Sequence, residues 1–209
     1  KRHPTGDPTP GPIKTGMGLS ANQWGGGGRA GNAHVDILSD GSVVVKCGTQ
    51  DLGTGTRTLV PMIAADTLGI PMDFVKGEIG DTNLPFAGVS GGSTATAGVG
   101  PAIRIASGRA RDMLFAKVAP ALGVEPDALV AINGKIQVKG NPSKSMPWKN
   151  ACKLLGTEPI SVDAAWEPGL SGVNSSGVQF AEVQVDIETG IVRVLRVLAL
   201  QDCGLVIDK

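Results

Sequence analysis

Ala181, Val183, Val185 and Ile187 alternate with Glu182, Gln184 and Asp186, then Glu188-Thr-Gly190 turns and Ile191 to Leu200 returns. A period of two broken by a polar turn predicts two antiparallel strands. Ala33-His-Val-Asp-Ile37 alternates in the same way, and Ser39-Asp-Gly-Ser42 leads into Val43-Val-Val45, which predicts a hairpin. A strand is expected around Phe74 to Ile79, and Asn133-Gly134 is a two-residue hairpin turn.

Elsewhere the period lengthens. Leu59, Val60, Ile63, Ala64 and Leu68 recur at helical spacing from Thr56 to Gly69, with Gly69 as stop signal and Pro71 beyond it. Pro61 predicts that this helix starts late or bends. Ile103, Ala106, Ala110, Met113, Leu114 and Val118 trace one face of a second helix from Pro101 to Ala119, with Pro101 in its first turn. A short helix is expected from Trp148 to Leu155. The opening residues carry Pro4, Pro8, Pro10 and Pro12, so residues 1–15 read as an extended linker. Gly25-Gly-Gly-Gly28 reads as a flexible crossing. Strands and helices that mix without strict alternation, and without an internal repeat, predict an α+β fold with mixed sheets and packed helices.

Charge narrows the function. Lysine plus arginine equal aspartate plus glutamate at 19 each, with no long run of one sign, so no nucleic-acid partner is expected. No apolar stretch approaches the roughly 20 residues of a membrane-spanning segment. Cys47, Cys152 and Cys203 are far apart and lack a Cys-x-x-Cys pattern, which reads as buried free thiols in a reducing compartment. The cytoplasm is the expected location, with the periplasm as the alternative. The compositional outlier is glycine, at 31 of 209 residues.

Two stretches concentrate that glycine: Gly48-Thr-Gln-Asp-Leu-Gly-Thr-Gly-Thr56, and Ser90-Gly-Gly-Ser-Thr-Ala-Thr-Ala-Gly98, each just ahead of a predicted helix. A helix start leaves backbone N–H groups unpaired at a positive dipole end, and glycine admits a ligand close to the backbone. One such loop reads equally well as a helix cap, whereas two in one domain point toward a ligand. Neither is a P-loop, and Gly25 to Gly28 lack the flanking strand and helix of a dinucleotide fingerprint. His34, Asp36 and Ser93 could be drawn as a hydrolytic triad, but histidine and aspartate two apart on a strand more often form an exposed face. With His3 and His34 as its histidines, and with Asp51, Glu78 and Asp81 in no metal-ligand spacing, the chain predicts no metal site of its own. The residues by themselves indicate a binder of a phosphate-bearing small molecule.

These loops carry a more specific resemblance. Gly48 to Thr56, Gly80-Asp-Thr82, Gly91-Gly-Ser-Thr-Ala-Thr96, and Glu182 to Gly190 followed by Asp202-Cys-Gly204 occur in the order seen in molybdopterin-binding (large) subunits of the xanthine dehydrogenase and aldehyde oxidase family of molybdenum hydroxylases. The resemblance runs from Gly16 to Asp208 and identifies residues 16–209 as part of a molybdenum cofactor-binding domain. It implies a Mo-molybdopterin dinucleotide, in bacteria the cytosine dinucleotide, serving oxidative hydroxylation of a heterocycle or an aldehyde. Electrons would leave to [2Fe-2S] and FAD groups held by partner subunits or domains. The protein's task is to hold the cofactor and orient the small-molecule substrate. Leu52, Gly53, Thr54 and Gly55 resemble the first cofactor loop, with Thr54 where many relatives have glutamine. Ser93, Thr94, Ala95, Thr96, Ala97 and Gly98 resemble the second.

The family's substrate-contacting arginine loop and its catalytic glutamate, in a Gly-x-Gly-Glu type motif, are not among these residues. No catalytic residue and no protein metal ligand is therefore expected here, and the remainder of the molybdenum subunit is an expected partner. A catalytically silent scaffold of the same fold is the alternative.

Overall fold

The structure is a computed structural model that describes residues 6–28, 30–172 and 174–204. The first residues of the expected linker, His3, and Asp208 at the end of the resemblance lie outside the described residues. In chain order the strands and helices are β1 (Ile13–Trp24), β2 (Asn32–Ile37), β3 (Val43–Cys47), α1 (Thr56–Leu68), β4 (Val75–Ile79), α2 (Ala95–Leu122), β5 (Leu129–Ile132), β6 (Lys135–Val138), β7 (Asn141–Pro147), α3 (Trp148–Cys152), β8 (Ile160–Ala165), β9 (Ser175–Asp186) and β10 (Val192–Asp202). The fold is α+β, and the described residues divide into two compact units, 6–25 with 174–204, and those within 26–172.

The first unit is an antiparallel sheet in the order β1-β9-β10. Its β9–β10 turn is held by the Asp186 carboxylate, which accepts the backbone N–H of Glu188 at 3.0 Å and of Thr189 at 3.3 Å. β1, β7 and β8 have no counterpart among the strands expected from the sequence; in β1, Met17, Leu19 and Ala21 do alternate with Gly18, Ser20 and Asn22, but Gly16 and Gly18 weaken the strand signal. The pairing of β1 along the whole of β9, from Ile13 opposite Asp186 to Trp24 opposite Ser175, makes it a strand. β1 begins inside the 1–15 segment, and the Asp7 carboxylate accepts Thr15 N–H at 2.7 Å and Thr15 Oγ1 at 2.9 Å.

The second unit is built on a sheet in the order β4-β3-β2-β8. Alternation sends Ala33, Val35, Ile37, Val43, Val45 and Cys47 into the core and leaves His34, Asp36, Val44 and Lys46 on the opposite face. β3 and β4 are parallel, joined by α1, whereas the other pairs of this sheet are antiparallel. α1 packs against β4, and α2 against β2 and β8. The two helices run in the same direction: Gly100 lies beside Ile63, while Gly108 and Arg111 lie beside Thr67. β5, β6 and β7 form a small antiparallel sheet that adds Leu129 and Ile136 to the core, with Asn133 and Gly134 both at positive φ in the β5–β6 turn. Buried Trp148 of α3 donates its ring N–H to the carbonyl of Gly41 at 2.8 Å. Among the described residues no helix is long and apolar enough to cross a membrane.

Several expectations need correction. α1 starts at Thr56 and continues through Pro61. The ring finds space because Gly77 of β4 has no side chain, and a Cβ there would sit 3.0 Å from the proline Cδ. α2 starts at Ala95, six residues ahead of Pro101, so the proline is in its second turn and not its first. One missing N–H is tolerated because Gly98, Val99, Gly100, Ala102 and Ile103 are all buried against the rest of the unit. Met113 is 49% exposed, since Ala110 and Leu114 take the inward positions. Gly26 and Gly28 are not a loose crossing but are packed: a Cβ on Gly28 would lie 2.2 Å from the carbonyl oxygen of Ala97, and one on Gly26 2.9 Å from Cβ of Ser93.

Candidate cofactor site

Loop one connects β3 to α1. Gly53 and Gly55 sit at φ 95° and 80°, a left-handed conformation that glycine adopts without strain, and open space lies where a side chain would be. The loop curls around Asp51, whose carboxylate accepts the backbone N–H of Gly53 at 2.9 Å, Gly55 at 3.2 Å and Arg57 at 2.9 Å. The Arg57 amide is the main cause that holds the Asp51 carboxyl below the usual carboxylate range, with the amides of Gly53, Gly55 and Thr54 adding to it. The N-terminal end of α1 thus already carries an anion supplied by the chain. The hydroxyls of Thr54 and Thr56 lie 3.1 Å apart.

Loop two connects β4 to α2. Its Ser93 is a non-glycine residue at φ 63°, a conformation uncommon outside glycine and a frequent mark of functional segments. The Thr94 hydroxyl turns away from the helix to donate to the carbonyls of Val89 or Gly91, each at 2.8 Å. The N-cap residue Thr94 makes no side-chain cap hydrogen bond, and among the described residues no carboxylate accepts the first-turn amides of α2 as Asp51 does those of α1. Gly98 N–H already donates to the carbonyl of Thr94 at 2.9 Å.

The two loops touch. Ser90 N–H donates to Oε1 of Gln50 at 3.0 Å, and the Ser90 hydroxyl donates to the backbone carbonyl of Gln50 at 3.0 Å. Parallel helices put both N-terminal ends on the same side of the unit, and this bridge brings their loops together. Of the expected cofactor residues, Leu52, Gly53, Thr54, Gly55, Ser93 and Thr96 are exposed there, while Thr94, Ala95 and Ala97 are half-buried. Gly98 is buried, and a Cβ on Gly31 would stand 2.8 Å from its carbonyl oxygen. Sequence reasoning missed Gln50, Asp51 and Ser90 as organisers of the site. The Asp51-x-Gly53 turn signal could have revealed Asp51. No local signal marks Gln50, because its partner is forty positions away.

The candidate triad does not assemble. His34 shares its two ring nitrogens between Asp163 Oδ1 at 2.8 Å and Asp36 Oδ1 at 2.9 Å, so neither nitrogen is left to take a proton from a serine. Burial alone would lower the His34 pKa, but the hydrogen bonds and charges of Asp163 and Asp36 together raise it. Asp36 also accepts Lys46 Nζ at 2.8 Å and the Ser161 hydroxyl at 2.5 Å, and its own pKa is lowered despite partial burial. This is a saturated charge cluster on the outward face of the sheet. Asp51, Glu78 and Asp81 do not join a metal-ligating group among the described residues. Cys47 and Cys152 are buried free thiols that burial pushes up to about 11 and about 12, whereas Cys203 is exposed, contrary to expectation.

Open glycine positions, exposed threonine and serine hydroxyls and an uncapped helix start, gathered on one side, are the requirements of a site for an anionic, backbone-held organic cofactor. The model of the molybdopterin cofactor-binding domain matches residues 2–209. The chain belongs to this family, that of the molybdopterin-binding subunits of xanthine dehydrogenase and aldehyde oxidase type enzymes. It is 31% identical over 183 residues to the carbon monoxide dehydrogenase large chain of Afipia carboxidovorans, which covers 83% of this chain and 22% of that protein. It is 30% identical over 209 residues to the aldehyde oxidoreductase molybdenum-binding subunit PaoC of Escherichia coli, covering 96% of this chain and 27% of that one. Among solved structures, quinoline 2-oxidoreductase from Pseudomonas putida 86 superposes with a TM-score of 0.82 at 25% identity, over 92% of this chain and 27% of that one. The chain therefore spans about a quarter of the length of these relatives.

Proposed function

We propose that residues 16–209 are the cofactor-holding portion of a molybdenum-dependent hydroxylase that acts on a heterocycle or an aldehyde. Leu52 to Gly55 and Ser93 to Gly98 form two walls of its molybdopterin dinucleotide site. The observation that carries this reading is the pairing of an exposed, glycine-opened loop one with the uncapped start of α2, joined through Gln50 and Ser90.

The two walls divide the work. The first-turn amides at Ala95, Thr96 and Ala97 and the positive dipole end of α2 receive the anionic phosphates, with the Ser93 and Thr96 hydroxyls as further donors. Loop one cannot take that role, because the Asp51 carboxylate fills the amides of Gly53, Gly55 and Arg57. Its exposed backbone and Leu52 instead border the uncharged part of the cofactor. When bound, the cofactor supplies the redox chemistry of hydroxylation at molybdenum, and electrons pass on to [2Fe-2S] and FAD partners. The dinucleotide is the cytosine form.

Glu78, Glu125, Glu158, Glu167, Glu182 and Glu188 all lie outside the two loops. The general base therefore comes from the remainder of the subunit, and positioned proton transfer typically contributes 10²–10⁴-fold. The isolated chain loaded with cofactor should not turn over, whereas the complete subunit should with an artificial electron acceptor. To test the reading, the complete enzyme is purified and its molybdenum and acid-released nucleotide are measured. Molybdenum near one per subunit with cytidine monophosphate is expected; absence of both would sink the proposal and favour the silent scaffold.

A further inference from the structure

The side-chain amide of Gln50 reaches from loop one into loop two with both its donor and its acceptor ends. Nε2 donates to the carbonyl of Gly48 in its own loop at 3.0 Å and reaches that of Gly88 in the second at 3.4 Å. Oε1 receives Ser90 N–H at 3.0 Å, and Ser90 Oγ closes the ring on the Gln50 carbonyl. Gly48 is itself seated tightly: its N–H donates to the carbonyl of Pro85 at 2.7 Å, and a Cβ would lie 3.0 Å from that oxygen. Loop two is thus anchored at residues 85–90 on the end of β3, just ahead of Ser93 and the start of α2.

We propose that Gln50 is a positioning residue that sets the separation of the two cofactor loops, so that one ligand meets both walls in a site assembled before it binds. This rests on the reading that both loops hold the cofactor. Gln50 is half-buried among backbone groups and belongs to neither set of residues assigned to the cofactor. Its removal leaves Ser90 N–H and two carbonyls without their partner but alters no residue of the walls. Preorganisation is worth affinity because the cost of ordering the loops is met on folding and not on binding.

A carboxylate at this position can still accept Ser90 N–H, but it faces two carbonyl oxygens. Protonated, it regains the donor. Gln50→Glu should therefore behave as a defective variant at alkaline pH and recover toward acid pH, a reversal that a purely space-filling role would not produce.

The test uses the complete enzyme, as wild type, Gln50→Leu, Gln50→Glu and Thr96→Val. Molybdenum per polypeptide and amide hydrogen exchange are followed, with the β2 and β3 amides reporting the fold. With those amides unchanged, Gln50→Leu should speed exchange of residues 88–92 by about tenfold or more and lower cofactor retention after gel filtration. Gln50→Glu should match it at pH 8 and approach wild type at pH 5. Unchanged exchange at 88–92, or full retention in Gln50→Leu while Thr96→Val loses cofactor, overturns the positioning role alone. Full retention in both variants overturns the placement of the cofactor on these loops, and the positioning role with it.

Discussion

The carboxylate of Asp51 accepts the backbone N–H of Arg57 at 2.9 Å, so α1 begins on an anion that the chain itself provides. Among the described residues, no carboxylate caps the parallel neighbour α2 in this way. Two helix starts are thereby made unequal, and this difference supports the proposal that the start of α2 receives the negatively charged part of the cofactor.

Asp51→Ala should loosen loop one and lower the thermal midpoint of the protein. The Asp51 pKa is depressed, so its contribution is present above the ordinary carboxylate value of 3.8 and is lost as pH falls through the lower folded value. The difference in thermal midpoint between wild type and Asp51→Ala should hold steady from pH 8 to pH 5 and shrink below pH 4. A difference that instead grows on acidification would contradict the capping geometry.

Thr96 is exposed in the first turn of α2. Thr96→Val replaces its hydroxyl by a methyl of similar size, and a hydrogen bond to a charged group contributes roughly 1.5–3 kcal/mol. Cofactor affinity should fall by about ten- to a hundredfold while the fold is kept, read as molybdenum per polypeptide after dilution and gel filtration.

His34 joins two carboxylates, one on its own strand and one on β8. Its pKa is raised in the folded state, so the stabilisation is complete below the ordinary value of 6.5 and fades as pH rises through the folded value. His34→Ala should therefore lower the thermal midpoint more at pH 5.5 than at pH 9. An equal loss at both would show that packing, not charge, dominates.

Ser107 has a fully buried hydroxyl on α2 with no hydrogen-bond partner among the described residues. Burying an unpaired hydroxyl costs about 1–3 kcal/mol, so Ser107→Ala should leave stability unchanged or raise it, as measured by urea denaturation.

Gly28→Ala tests the packing under loop two. Its Cβ would fall 2.2 Å from the carbonyl oxygen of Ala97, a group that Pro101, lacking an N–H, cannot engage within the helix. Backbone must shift at the start of α2, and a loss of roughly 1–3 kcal/mol in unfolding free energy is expected. A neutral substitution would show that the glycine segment is not pressed against the helix.

How much of this was legible in the chain depended on the range of each interaction. The period of two in Ala33 to Ile37 and Ala181 to Asp186, and the helical period in Leu59 to Leu68, are written in adjacent side chains that must all face one core, so those elements could be read directly. The glycine and hydroxyl content of the two loops was visible for the same reason, and with it the family resemblance.

Other features depend on partners remote in the chain. β1 alternates Met17, Leu19 and Ala21 with Gly18, Ser20 and Asn22, but its two glycines disfavour an isolated strand, and β9 holds it by pairing along its whole length. α2 extends ahead of Pro101 because burial of Gly98 to Ile103 outweighs one missing hydrogen bond. That His34 is held by carboxylates and does not serve as a base was decided when β8 brought Asp163 beside it, 129 residues away. Gln50 and Ser90 meet because α1 and α2 run parallel off one sheet, a relation between directions in space that no local pattern of residues encodes.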